Sequence, residues 1–269
     1  MRIGTHEFDV KNQTYIMGIL NVTPDSFSDG GKYRGVDAAL KRAEQMQREG
    51  AAILDIGGES TRPGFTPVSE EEEMERILPV IEAVKKNIDI PLSVDTYKAA
   101  VAKNAILAGA DLINDIWGLK ADSHMAEVIA NHKVACCLMH NRTNAEYDSL
   151  VKDVVSDLKE SVDFACKSGI AKDKIIVDPG IGFAKDYVQN LEMLRNLEAL
   201  KELGYPVLLG TSRKSVIGIT LDLPSEERLE GTLVTTVLAV QKGCSFVRVH
   251  DVKENYRGIQ MAQAIYERG

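Results

Sequence analysis

Polar side chains that can bind ligands follow eight short apolar runs along this chain, one group after each run. They comprise carboxylates, amides, imidazoles and two cations: Asn21, Asp55, Asp95, Asn114 with Asp115, His140, Asp178, Lys214, and Arg248 with His250. A single aspartate in such a position is usually a turn or cap residue. A series that also contains lysine, arginine and histidine is typical of a ligand site, so we expect one polar site where the runs end.

The cationic members of this series are grouped after the last two runs. Lys214, Arg248 and His250 lie there, with Ser215 predicted to begin one helix and Asp251 to be the N-cap of another. Cationic side chains beside helix amides favour an anion, so the grouping predicts a phosphate or diphosphate site. The alternative is that Arg248 and His250 form ion pairs with neighbouring carboxylates.

The eight runs lie at residues 15–20, 53–56, 91–94, 112–116, 134–139, 175–177, 207–209 and 246–249. Most are continuously apolar, which is typical of parallel strands buried on both faces, and helical patterns separate them. Eight strand–helix units predict an α/β fold, a (β/α)8 TIM barrel that forms a single domain over residues 1–269. Residues 2–14 are expected to form a short N-terminal β-hairpin at the bottom of the barrel.

In such a barrel the active site lies at the carboxyl ends of the strands, where Asp95 and Asp178 would stand nearly opposite each other. Ionised carboxylates match a ring that carries paired N–H groups, so we expect a planar, polar ring between them. A glycosidase, in which two carboxylates act as acid and base, is the competing interpretation. The neighbouring Met139, Phe183 and Lys214 argue against a sugar.

Long segments rich in glycine, proline and small polar residues follow the first two strands, at residues 22–34 and 57–68. Connections of this length are unusual unless they act as lids or binding loops. They carry Phe27, Arg62 and Pro63, which could cover a ligand. Composition alone gives equal weight to binding loops and to surface turns.

Composition limits the possible partners of the chain. Lys and Arg number 32 against 40 Asp and Glu, and the resulting net charge of −8 disfavours nucleic-acid binding. No run approaches the roughly 18 apolar residues of a membrane span, and residues 1–10 do not resemble a signal peptide. Cys136, Cys137, Cys166 and Cys244 show no metal-ligand spacing. We expect a cytoplasmic protein with buried or half-buried cysteines and no nucleic-acid or membrane partner.

Seven motifs of this chain resemble those of the dihydropteroate synthases, a family of pterin-binding barrel enzymes of the folate pathway. They occur in family order over nearly the whole chain, and the first two are long and highly specific. The motifs are Asn21-Val-Thr-Pro-Asp-Ser-Phe-Ser-Asp-Gly-Gly31, Asp55-Ile-Gly-Gly-Glu-Ser-Thr-Arg-Pro-Gly64, Ser93-Val-Asp-Thr96, Ile113-Asn-Asp115, Asp178-Pro-Gly-Ile-Gly-Phe183, Gly210-Thr-Ser-Arg-Lys-Ser215 and Val247-Arg-Val-His-Asp-Val252.

The resemblance implies that p-aminobenzoate displaces diphosphate from (7,8-dihydropterin-6-yl)methyl diphosphate, which gives 7,8-dihydropteroate. It implies that Asn21 ligates Mg²⁺ on the diphosphate and that Arg248 and His250 bind the diphosphate oxygens. The implied pterin contacts are Asp95, Asn114, Asp178 and Lys214. The implied p-aminobenzoate contacts are Thr61, Arg62, Pro63 and Ser215, with Phe183 at the edge, while Met139 and Gly210 complete the substrate-binding set and Phe27 belongs to the first long loop.

The implied chemistry requires no covalent nucleophile, because an arylamine is neutral at pH 7 and magnesium-bound diphosphate leaves readily. A dissociative displacement follows, in which the Asp95 carboxylate faces positive charge on the pterin methylene. Lys214 and Arg248 are the other residues assigned to catalysis. The alternatives are a pterin-binding methyltransferase domain, which presents a methylated folate, and a pterin carrier without activity. As in the family, the last two helices are expected to form a homodimer face.

Overall fold

The structure is a computed structural model that describes residues 1–22, 31–59 and 67–266. The chain begins with a small antiparallel hairpin of β1 (Arg2–Ile3) and β2 (His6–Glu7). The barrel strands are β3 (Tyr15–Asn21), β4 (Ile53–Gly57), β5 (Leu92–Asp95), β6 (Leu112–Asp115), β7 (Ala135–Met139), β8 (Ile175–Asp178), β9 (Leu208–Leu209) and β10 (Phe246–Val249). The helices are α1 (Gly31–Glu49), α2 (Glu70–Asn87), α3 (Ala99–Ala108), α4 (Met125–His132), α5 (Leu150–Lys167), α6 (Tyr187–Arg195), α7 (Ser215–Leu221), α8 (Leu229–Lys242) and α9 (Val252–Ile265).

The strands β3 to β10 form one 8-stranded parallel sheet in the order β8-β7-β6-β5-β4-β3-β10-β9. A parallel bridge between Val177 and Val207 brings the two edges of the sheet together, which closes the barrel. This arrangement confirms the predicted (β/α)8 TIM barrel with its short N-terminal hairpin. The single-domain organisation over residues 1–269 stays a prediction.

Two apolar layers stabilise the barrel. The larger one lies between the outer faces of the strands and the helices, and it includes Leu20, Ile56 and Ile77, each at most 2% exposed. The smaller one fills the inside of the barrel at its amino end, where Met17, Leu208 and similar residues meet. Burial of this kind supplies most of the driving force for folding, and it leaves the carboxyl end of the barrel for polar groups.

The inner face of several strands carries an apolar side chain below a polar one. Because successive side chains of a strand point to opposite faces, a residue two positions after an inner apolar residue also points inward. The inner apolar residues include Ile53, Leu112, Ile176 and Phe246. The residues two positions later are Asp55, Asn114, Asp178 and Arg248. The alternation therefore places these four polar side chains together inside the upper part of the barrel.

The N-terminal hairpin covers the bottom of the barrel, as predicted. Ile3 and Phe8 are buried against the inner apolar layer. The Phe8 ring lies edge-on to the Tyr15 ring, with 5.0 Å between centroids, and 5.7 Å from the Phe246 ring. These contacts pack the hairpin against the amino end of the barrel.

Three details differ from the sequence-based expectations. The seventh barrel strand, β9, has only two residues, because Val207 contributes an isolated bridge instead of extending it. The apolar stripe through Leu191, Leu194 and Leu197 is not one helix, because α6 ends at Arg195 and a 3₁₀ helix continues from Leu197 to Leu203. The first long segment, predicted to be non-helical as far as residue 34, is shorter, because α1 begins at Gly31.

The cysteines occupy the positions expected of core residues. Cys136, Cys137 and Cys244 are buried and Cys166 is half-buried. Burial raises the pKa of the Cys244 thiol to about 12 and raises that of Cys137 as well, so these thiols stay protonated and unreactive at neutral pH. In the described ranges, no helix is long and apolar enough to cross a membrane. The cytoplasmic location stays a prediction.

Candidate active site

Arg248 lies at the centre of the polar side chains inside the barrel mouth. Its Nε donates to Asp55 Oδ2 over 2.6 Å, and its Nη2 donates to Asp95 Oδ2 over 2.8 Å. Asn114 Nδ2 adds a longer contact of 3.4 Å to Asp55 Oδ2. The sequence left two interpretations of Arg248, an anion contact and ion pairs with neighbouring carboxylates. The structure shows the ion pairs. One guanidinium holds two carboxylates in fixed positions.

Three acceptors in this group face the inside of the barrel without a hydrogen-bond partner among the described residues. They are Asp55 Oδ1, Asp95 Oδ1 and Ser93 Oγ, all buried. A buried acceptor without a partner is unfavourable by about 1–3 kcal/mol. A ligand that brings N–H groups to these oxygens gains that free energy, which makes the barrel mouth a site for a donor-rich ring.

Burial raises the pKa of Asp95 to about 7, and the nearby Arg248 guanidinium opposes this shift. The pKa of Asp178 is also raised by burial, with Lys214 opposing the shift most strongly. Carboxylates with raised pKa values and nearby cations are frequent in active sites. The two carboxylates predicted to flank a ring therefore both lie in low-dielectric surroundings, each beside a cation.

Asp178 ends β8 and is fixed by the chain that follows it. The Gly180 amide donates to Asp178 Oδ1 over 2.7 Å. The other oxygen, Oδ2, faces Gly210: a Cβ added at Gly210 would lie 3.7 Å from it and 3.9 Å from Lys214 Nζ. Asp178 Oδ2 and Lys214 Nζ therefore both lie within van der Waals reach of one position beside the Gly210 backbone.

Lys214 lies just before α7 and points back over the barrel mouth. Its Nζ donates to the Ile181 carbonyl over 2.5 Å and lies 4.8 Å from the centre of the Phe183 ring. Burial lowers the pKa of Lys214 to about 8, and the charge of Asp178 opposes the shift. The structure thus brings together three predicted site residues, Asp178, Phe183 and Lys214. Ser215, another of them, is exposed at the start of α7.

The end of β10 holds the predicted anion contact His250. The Ser212 hydroxyl lies 2.9 Å from His250 Nδ1, and the His250 amide donates to the same hydroxyl over 3.1 Å. Asp251 is the N-cap residue of α9, as predicted, but its side chain makes no capping hydrogen bond. Its carboxylate accepts from Arg213 over 3.0 and 2.5 Å instead, because a charged partner binds it more strongly than a backbone amide does.

Met139 and Asn21 complete the described part of the predicted site. Met139 is buried at the end of β7, where it pairs in register with Asp178. A Cβ added at Gly57 would lie 3.7 Å from Asn21 Oδ1 and 3.8 Å from Asp95 Cβ. Asn21 and Asp95 therefore lie beside the same position of the β4 backbone. Phe27, Thr61, Arg62 and Pro63 lie outside the described residues.

Two parts of the site have no assigned role in the sequence-based prediction. From the sequence, Asp55 is identified only as a polar residue at the end of a strand. Its position inside the apolar run of β4 is the signal that could have indicated a buried carboxylate with a partner. Lys185 is absent from the prediction. It is buried, and its Nζ lies 2.9 Å from His140 Nδ1. No spacing in the sequence indicates that contact.

Comparison with known proteins agrees with this geometry. A family model described as pterin binding enzyme matches residues 17–250. The chain is 59% identical to a dihydropteroate synthase of Clostridium beijerinckii over 269 residues, with 100% of both chains covered.

Solved structures agree as well. A dihydropteroate synthase of Clostridium difficile, solved in the presence of pteroic acid, is 51% identical with a TM-score of 0.94, and the match covers 97% of this chain and 99% of that one. A dihydropteroate synthase of Xanthomonas albilineans with 4-aminobenzoic acid is 43% identical with a TM-score of 0.90, and the match covers 95% and 94%. The chain therefore belongs to the pterin-binding enzyme family, among its dihydropteroate synthases.

Proposed function

We propose that the barrel mouth binds (7,8-dihydropterin-6-yl)methyl diphosphate and directs its reaction with p-aminobenzoate to 7,8-dihydropteroate and diphosphate. The observation that carries this proposal is a pair of buried acceptors beside Arg248, Asp55 Oδ1 and Asp95 Oδ1, which have no hydrogen-bond partner in the described part of the chain. A pterin ring has an N–H-rich edge that satisfies such acceptors, while its diphosphate suits a cationic neighbour.

The pterin lies between the two sides of the mouth in this proposal. Asp95 and Asn114 contact it from β5 and β6, and Asp178 contacts it from β8. Lys214 donates to a ring acceptor from the space opposite Gly210, where its Nζ and Asp178 Oδ2 lie together. Alternating donors and acceptors of this kind select one orientation of the ring, because any other orientation leaves buried polar groups unpaired.

Arg248 binds the diphosphate while it holds the carboxylates. A guanidinium has five N–H donors, and the contacts to Asp55 and Asp95 involve its Nε and Nη2. Other donors of the same group can therefore reach phosphate oxygens. His250, at the end of the same strand, is the second proposed diphosphate contact. This arrangement joins the anion site to the pterin site through one side chain.

A Mg²⁺ ion on the diphosphate fits the residues present. Within the described ranges, no three His, Cys, Asp or Glu side chains are arranged to hold a metal by themselves. Mg²⁺ commonly uses one or two protein oxygens together with substrate phosphates and water. Asn21 Oδ1, which would lie 3.7 Å from a Cβ at Gly57, is the oxygen proposed to hold it. The bound ion would neutralise charge on the departing diphosphate.

The residues of the chain act on charge rather than through a covalent bond. When the bond between the pterin methylene and the diphosphate breaks, positive charge grows on the methylene. The Asp95 carboxylate, fixed by Arg248, stabilises that charge, while Arg248 and Lys214 stabilise the negative groups. p-Aminobenzoate then attacks through its neutral amine, and the amine loses one proton to the departing diphosphate. Phe183 and Ser215 are the described residues proposed to contact it, with Thr61, Arg62 and Pro63 from the second long loop.

The test is an assay of diphosphate release with and without p-aminobenzoate. Release that depends on p-aminobenzoate, together with formation of 7,8-dihydropteroate, is the expected result. Binding of the pterin diphosphate without release in either condition would contradict the proposal and would favour a carrier. Asp173→Asn, at an exposed aspartate just before β8, is a control substitution outside the proposed site. It should leave the rate of diphosphate release unchanged.

A homodimer through the last helices is proposed on the basis of exposed apolar side chains. Val234 on α8 is 69% exposed, and Met261 and Ile265 on α9 are 64% and 62% exposed. The two helices pack against each other, and we take exposed apolar side chains on adjacent helices as the mark of an interaction site. Val234→Glu should shift the mass measured by light scattering from dimer to monomer. Leu107→Glu, at a comparably exposed residue of α3, is the control, and a monomeric unmodified protein would contradict the proposal.

A further inference from the structure

The loop of residues 179–184, between β8 and α6, determines three of the proposed ligand contacts. Its Gly180 amide holds Asp178 Oδ1 at 2.7 Å, and its Ile181 carbonyl accepts from Lys214 Nζ over 2.5 Å. Phe183 also belongs to the loop. A change in the loop would therefore move the side chains assigned to the pterin and to p-aminobenzoate together.

The backbone conformation of this loop is unusual and has to be held in place. Gly180, Gly182 and Ala184 have φ values of +68°, +85° and +45°. A positive φ is unfavourable for a residue with a side chain, as at Ala184. A Cβ at Gly180 would lie 2.0 Å from the His140 carbonyl oxygen. The loop thus passes directly over the end of β7, and other contacts must stabilise it there.

Lys185 supplies those contacts. Its buried Nζ lies 3.1 Å from the Gly180 carbonyl, 3.1 Å from the Phe183 carbonyl and 2.9 Å from His140 Nδ1. An ammonium group has three N–H donors, which matches these three acceptors. One side chain therefore ties both ends of the loop to the residue that follows β7. None of the ligand contacts proposed above uses Lys185.

His140 is oriented so that it can accept this hydrogen bond. Its other ring nitrogen, Nε2, lies 3.0 Å from Asp157 Oδ2 on α5. A carboxylate accepts but does not donate, so Nε2 carries the proton and Nδ1 keeps a lone pair for Lys185. Burial lowers the pKa of His140 to about 3, which keeps the ring neutral at physiological pH.

Lys185 also interacts electrostatically with Asp178. Burial lowers the pKa of Lys185 to about 7, and the strongest opposing effect is the negative charge of Asp178. In return, the charge of Lys185 helps to lower the raised pKa of Asp178. Each group thus favours the charged form of the other, so removal of one changes the state of the other.

We infer that Lys185, oriented by His140 and Asp157, is a positioning residue that sets the geometry of Asp178 for the pterin ring. It acts through the 179–184 loop and does not touch the ligand. The inference rests on the proposed contact between Asp178 and the pterin. It adds three residues, from the β7–α5 connection, α5 and the β8–α6 connection, to those that determine pterin affinity.

A double-mutant cycle with 6-hydroxymethylpterin, a ligand without diphosphate, tests the inference by calorimetry. Lys185→Met keeps the apolar stem but removes the three donors. We expect each of Lys185→Met and Asp178→Asn to weaken binding about tenfold, and the double variant to lose far less than the product of about 100-fold. Lys174→Met is the matched control, because Lys174 also donates to a backbone carbonyl, that of Arg2, at the other end of β8. It should bind as the unmodified protein does.

The possible results distinguish a failure of the inference about Lys185 from a failure of the proposed contact between Asp178 and the pterin. Unchanged affinity in Asp178→Asn overturns the proposed pterin contact, whereas an affected Asp178→Asn with an unaffected Lys185→Met overturns the role of Lys185. Losses that multiply also overturn it, since a merely structural lysine lowers stability without coupling to ligand affinity. If Lys185→Met does not fold, the ring-nitrogen NMR shifts of His140 in the unmodified protein decide. A proton on Nε2 alone supports the inference, and a proton on Nδ1 overturns it.

Discussion

Arg248 at the end of β10 reaches over two strands to Asp95 at the end of β5, with 2.8 Å between Nη2 and Oδ2. The same guanidinium holds Asp55 on the intervening β4. The cation assigned to the diphosphate and the carboxylate assigned to the pterin methylene are therefore one buried ion pair. Binding of diphosphate to Arg248 necessarily changes the electrostatic surroundings of Asp95.

Replacement of Arg248 by alanine should affect the two parts of the substrate differently. The variant loses a charge-assisted contact, so affinity for the pterin diphosphate should fall much more than affinity for a pterin without diphosphate. It also leaves Asp55 and Asp95 without their cation, which should lower the free energy of unfolding by about 3–5 kcal/mol. Calorimetry with both ligands and urea unfolding measure these effects. His250→Ala should show the same preference more weakly, and equal losses for both ligands would assign Arg248 to pocket structure alone.

Asp178→Asn should weaken pterin binding about tenfold or more, because about 1.4 kcal/mol corresponds to a factor of ten. The substitution keeps the shape but replaces an acceptor by a donor that faces the N–H edge of the ring. Calorimetric titration with a pterin alcohol measures the loss. The exposed Asp173→Asn is its control. Unchanged affinity would remove Asp178 from the site.

Pterin affinity should fall as the pH rises through about 8. Lys214 has its pKa lowered to about 8, so its ammonium is present below this pH and is lost above it. An acceptor on the ligand favours the charged form, which makes binding strongest on the acidic side of the transition. Binding titrations between pH 7 and 9 measure this step in pterin affinity. Lys214→Met should bind weakly throughout and lack the step. A step of equal size in the variant would show that the ligand or another group titrates instead.

Gly180→Ala should destabilise the protein much more than Gly204→Ala does. Both glycines have positive φ values, +68° and +75°, which cost a residue with a side chain roughly 1–2 kcal/mol. Only Gly180 also has a close neighbour: its Cβ would lie 2.0 Å from the His140 carbonyl oxygen, whereas nothing lies within 4 Å at Gly204. Thermal unfolding of both variants compares the two costs. Equal shifts would mean that the loop over β7 moves without penalty.

p-Aminobenzoate should bind weakly to the free enzyme and strongly once pterin and magnesium diphosphate are present. Residues 22–34 and 57–68 are rich in glycine and proline, and α1 and β4 include residues 31–34 and 57. The composition of the remainder predicts loops that order only when a ligand offers them contacts. Phe27→Ala should then impair use of p-aminobenzoate and leave pterin affinity nearly unchanged. Two calorimetric titrations, with and without the first ligands, measure the difference. Equal affinity in both would show a preformed second site.

Much of the fold and part of the site follow from the sequence alone. Continuous apolar runs predict parallel strands buried on both faces, and their number predicts the barrel. The alternation of inner and outer side chains is a property of any strand, so Asp178 and Arg248 could be assigned to the barrel mouth from their positions two residues beyond Ile176 and Phe246. These inferences are reliable because they depend on local periodicity.

Contacts between distant side chains were decided only by the tertiary structure. Arg248 and Asp55 are separated by 193 positions, and the sequence offered ion pairing of this cation only as an alternative, without identifying its partners. For Lys185, whose partner His140 lies 45 positions away, no spacing in the sequence indicates the contact. Whether two charged side chains meet depends on the stagger of the strands in the closed barrel. It also depends on whether their attraction offsets the free-energy cost of burying them. Both are properties of the assembled barrel and not of any segment of its sequence.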